Sequence, residues 1–69
     1  MEAVIDVIWD EEAGVWVASN DEIPLTLEGS DYNKLMERTA VVAKEIAELN
    51  GISVDRLSFV SKTEVRISA

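Results

Sequence analysis

The sequence predicts an α+β domain: an antiparallel four-stranded sheet with one helix on one face, in the chain order βββαβ. Three observations lead there. Short runs rich in β-branched and aromatic residues alternate within the first 28 positions. A helical 3.6-residue period then takes over from about residue 31 to residue 50. Alternation returns near the end of the chain.

Residues 3–9, Ala-Val-Ile-Asp-Val-Ile-Trp, read as the first strand. Ala3, Ile5, Val7 and Trp9 share one face, and Val4, Asp6, Ile8 and Asp10 share the other. Asp10-Glu11-Glu12-Ala13-Gly14 has the polar residues and closing glycine of a hairpin loop. Val15 to Ala18 returns as the second strand, and Ser19 to Glu22 is a polar loop. Pro24 disfavours a central strand at its own position, and Leu25 to Glu28 alternates as a short third strand. Ser30 is the expected helix N-cap, with Asp31 at the positive end of the helix dipole. Leu35, Thr39, Val42, Ile46 and Leu49 recur at steps of four and three, which predicts a helix over 31–50. Asn50-Gly51 ends it, and a final strand is expected near 62–68. The predicted core is Ile5, Val7, Val17, Leu27, Leu35, Val42, Ile46 and Ile67.

The 69 residues form one domain, 1–69, with room for a single small core. There is no His and no Cys, so disulfides, zinc–thiolate sites, thiol nucleophiles and imidazole bases are excluded. No metal and no cofactor is expected. The serines lack an imidazole to activate them. Six basic against fourteen acidic residues give a net charge of −8, which disfavours nucleic-acid binding. The charge is uneven: all six bases lie after residue 33. The N-terminus has no signal-peptide pattern, and four-residue apolar runs such as Val15–Ala18 are too short to span a membrane, so a cytoplasmic protein is expected.

Trp9-Asp10-Glu11-Glu12-Ala13-Gly14-Val15-Trp16-Val17-Ala18 resembles the first hairpin of HicB-like antitoxins. Asp21-Glu22-Ile23-Pro24 is similar to the acidic loop that follows it, and Gly29-Ser30 to the opening of the family's helix. The segment Ala47 to Gly51 looks most like a short branch of that family, of unknown function. The resemblance covers residues 2–68. It implies a partial ribonuclease-H-like fold without catalysis. It also implies an antitoxin role: binding and masking a small basic ribonuclease, HicA. Family members usually carry a C-terminal DNA-binding domain. Here the sequence ends at Ala69, directly after the last expected strand, so operator binding is not expected of this chain.

Candidate residues follow from these readings. Asp10, Glu11, Glu12, Asp21 and Glu22 would present negative potential to a basic partner, and Trp16 would be the apolar anchor. Val4 and Ile8 put apolar surface on the second face of the sheet, and no clip reinforces so small a core. A homodimer is therefore expected, with Val4 and Ile8 as self-association residues. A self-associating domain without a toxin partner is the alternative. A third reading is a metal-dependent nuclease using Asp6 and Asp10, which share a strand face, with Glu28 as the nearest further carboxylate.

Overall fold

A computed structural model describes residues 1–62 and 67. The elements are β1 (Glu2–Asp10), β2 (Val15–Asn20), β3 (Leu25–Gly29), α1 (Tyr32–Leu49) and β4 (Arg56–Lys62). They form one four-stranded sheet in the spatial order β3-β2-β1-β4, with α1 packed mainly on β3 and β2.

The sheet is mixed, which corrects the expected all-antiparallel arrangement. β1–β2 and β2–β3 are antiparallel, and β4 pairs parallel to β1 from Glu2↔Arg56 to Ile8↔Lys62. The cause is the helix length. Eighteen residues rise ~27 Å, the length of the sheet, so α1 carries the chain back to the end where β1 and β3 begin. β4 must then run the same way as both.

β4 also starts earlier than expected, at Arg56 rather than near residue 62. Val60, Ser61 and Thr63 read as a break in the alternation; Val60 and Ser61 belong to it, and Thr63 lies outside the described residues. Leu57, Phe59 and Ser61 face the helix side, in register with Ala3, Ile5 and Val7. Ser61 is polar there because its hydroxyl hydrogen-bonds the Tyr32 hydroxyl. Val60 faces outward beside Asp6. Residues 63–66 and 68 of the expected last strand lie outside the described residues.

The core lies between α1 and the inner sheet face. Ala3, Ile5, Val7, Ala18, Ile23, Leu25, Leu35, Ala43 and Ala47 are buried. Of the predicted core, Ile5, Val7 and Leu35 are there, while Leu27, Val42 and Ile46 are half-buried. Val17 belongs to the outer face, opposite Ile8 and Glu28. Ile67 is 92% exposed and is not core. The helix buries Leu35, Thr39, Ala43 and Ala47 at four-residue steps, so small residues let it sit close to the sheet, and Leu49 is left exposed.

Local chemistry fixes the ends. The N-cap is Asp31, not Ser30: its carboxylate accepts from Lys34 N at 3.0 Å. The C-terminus closes with paired bonds from Gly51 N to Glu48 O and from Ile52 N to Ala47 O. Gly51 takes φ 67°, and Ile52 packs on the core cluster that contains Ala47. Between β2 and β3, Asn20 accepts from Ile23 N at 2.7 Å and donates to Val4 O at 2.6 Å. That stitch pins the turn against β1 and carries Ile23 into the core from what the sequence reads as a polar loop.

Candidate partner-binding site

The antiparallel path sorts the acidic residues by end. Asp10, Glu11 and Glu12 lie at the β1–β2 hairpin, and Asp21 and Glu22 at the β2–β3 turn. The six residues of β2 separate these turns by ~20 Å. The expected acidic surface is thus two surfaces at opposite ends of the sheet, and Trp16 belongs to the hairpin end.

The hairpin is built by Asp10. Its Oδ1 accepts from Glu12 N at 3.1 Å and Ala13 N at 3.2 Å, and its carbonyl accepts from Gly14 N at 2.8 Å. Gly14 has φ 65°, the left-handed conformation that favours glycine. The geometry leaves the Glu11 and Glu12 side chains exposed at the tip, with no basic residue in the loop. Asp10 therefore has a structural task besides its charge.

Below the loop, Trp9 and Trp16 are directly paired across the strands. Their ring centroids are 5.2 Å apart in an edge-on arrangement, and Trp16 meets Tyr32 in the same way at 5.1 Å. Trp16 is the middle ring, half-buried between the other two. Trp9 is the outer ring, 38% exposed. Trp16, the expected anchor, is thus more covered than Trp9, and Tyr32 joins the cluster although the sequence reading does not include it. The available signal is the inner-face register of Trp9 at the end of β1, beyond the apolar helix stripe. Arg38 on α1 donates from Nη2 to Glu28 O at 2.6 Å.

The family model for DUF1902, a domain of unknown function, matches residues 2–67. The chain belongs to the DUF1902 family. A fold of the same kind is seen in the crystal structure of a hypothetical protein from the extremely thermophilic bacterium Thermus thermophilus. That protein is 28% identical, with TM-score 0.75 over 100% of both chains. No curated protein matches the sequence.

In this DUF1902 domain, Asp6 and Asp10 are on the outer sheet face, four residues apart along β1. That spacing is ~13 Å, too long for two short carboxylates to share an ion. Glu28 is two strands away from Asp6 and one row along. No group of three or more potential ligands occurs among the described residues. Val4 and Ile8 are also on the outer face, 43% and 48% exposed. At the other end, the N-terminal amine donates to Asp55 at 3.1 Å. That bond, together with a main-chain hydrogen bond and the ammonium charge, holds the Asp55 carboxyl below the usual range. No helix among the described residues is long and apolar enough to cross a membrane.

Proposed function

We propose that this chain is a small non-enzymatic protein-binding domain that covers a basic partner with its hairpin end. The HicB resemblance makes that partner a small basic ribonuclease of the HicA kind, and the domain a cytoplasmic antitoxin-like module of partial ribonuclease-H-like type. One observation carries the reading: an acidic tip, Asp10 to Glu12, stands directly above the outer ring of a three-ring aromatic cluster. Exposed carboxylates raise the encounter rate with a basic surface and reject acidic ones. An exposed Trp on a rigid ring stack supplies apolar contact at low entropic cost. Neither feature needs a catalytic group from this chain.

The experiment is capture from an extract of the native host on the immobilised domain, in parallel with a variant carrying Asp10→Asn, Glu11→Gln and Glu12→Gln. Asp10→Asn keeps the Oδ1 acceptor that builds the turn. The reading expects a small protein of high isoelectric point, released by salt and absent from the variant. Partners that are acidic, or retained equally by the variant, would refute it.

A further inference from the structure

The outer face of the sheet carries a second surface, independent of the hairpin end. A sheet face open to water normally shows polar residues. Here Val4, Ile8 and Val60 are 43%, 48% and 51% exposed, and half-buried Val15 and Val17 extend the same patch. Two rows cross all four strands. One reads Glu28–Val17–Ile8–Lys62, and the other Thr26–Ser19–Asp6–Val60, from β3 to β4.

We infer that this face packs on the same face of a second copy of the chain, by a half-turn about an axis running along the strands between β1 and β2. That operation reverses each row. Glu28 then meets Lys62 of the second copy, Ile8 meets Val17, Asp6 meets Ser19, and Val60 meets Thr26. In these two rows each acid gains a cation or a hydroxyl, and Ile8 gains an apolar neighbour. A half-turn across the strands does worse, because centring it on the patch sets Asp6 against Asp6. Two sheets packed this way lie ~10 Å apart with strands within ~30°. The acidic hairpins leave the sandwich together at one rim, so their mutual repulsion weakens as salt rises.

The area sets the strength. Four strands ~4.8 Å apart and about 20 Å of shared length cover on the order of 400 Å² per copy. A standard interface buries ~800 Å² per partner, so the dimer is weak, with dissociation in the micromolar range.

Sedimentation equilibrium of the full chain from about 10 to 500 µM tests this. The mass is expected to rise from one chain toward two. Ile8→Lys should weaken the dimer at least tenfold while leaving the circular dichroism spectrum unchanged, because Ile8 is already half exposed. The exposed pair gives a second reading. Glu28→Lys and Lys62→Glu should each weaken the dimer several-fold, and the double variant should recover to within about threefold. Glu28 and Lys62 are three strands apart in one chain, ~14 Å, so recovery must come from contact between copies. A one-chain mass throughout, a dimer indifferent to Ile8→Lys, or no recovery in the double variant would each overturn the inference.

Discussion

Replacing Ile5 by Ala tests the packing of the domain most severely. Ile5 sits on β1, an inner strand of the sheet, is fully buried, and shares a cluster with Val7, Ala18 and Leu35. The change deletes three carbons, and at ~0.8 kcal/mol each the lost transfer energy is ~2.4 kcal/mol. The cavity left in a site bounded by sheet and helix adds a further portion, for a total of ~3–4 kcal/mol. A core of this size rarely supplies more than ~3–5 kcal/mol, so the variant should be close to half unfolded at room temperature. Ile46 is only half-buried on the core edge, and Ile46→Ala should cost ~1–2 kcal/mol. Urea unfolding followed by tryptophan fluorescence reads both, since Trp9 and Trp16 lie on the same sheet. An Ile5→Ala loss under ~1 kcal/mol, or one smaller than that of Ile46→Ala, would refute the assignment of the inner face.

Other expectations follow from particular contacts. Asp31→Ala should destabilise the domain by ~1 kcal/mol by removing the helix cap, while Ser30→Ala stays within ~0.5 kcal/mol in the same denaturation assay. Thr39 is fully buried and its Oγ1 has no hydrogen-bond partner among the described residues. Thr39→Val should therefore raise stability, by about 1 kcal/mol, read as a higher urea midpoint. The depressed Asp55 carboxyl stabilises the fold above its unfolded pKa, and that contribution is lost as pH falls through its lower folded value, below about pH 4. Acetylating the N-terminal amine should raise the Asp55 titration midpoint seen by NMR.

Much of the fold is legible in the sequence because local rules and tertiary structure agree. The hairpin, the helix and its glycine stop each follow from residues within one element, such as Asp10 with Gly14 or Asn50 with Gly51. What escapes depends on contacts between elements. Ser61 reads as a break in the last strand because its partner, Tyr32, is 29 positions away. The parallel pairing of β4 follows from helix length set against sheet length, a comparison between elements that the pattern within any one element does not make. Ile23 reads as loop until Asn20 ties the turn to β1. The candidate site splits for a similar reason: charge can be counted along the chain, but the end of the sheet on which each turn lies depends on strand direction. Residue type and charge pattern point to Trp16, whereas exposure singles out Trp9.

The proposed function stands or falls on whether the hairpin end, and not the opposite turn, meets a basic partner. Titration calorimetry with the captured partner compares two variants of equal design. One carries Asp10→Asn, Glu11→Gln and Glu12→Gln, and the other Asp21→Asn and Glu22→Gln. The first should lose at least tenfold in affinity and the second should stay within about twofold, with the first deficit shrinking as salt rises. A larger loss in the second variant, or equal losses in both, would contradict this placement of the partner.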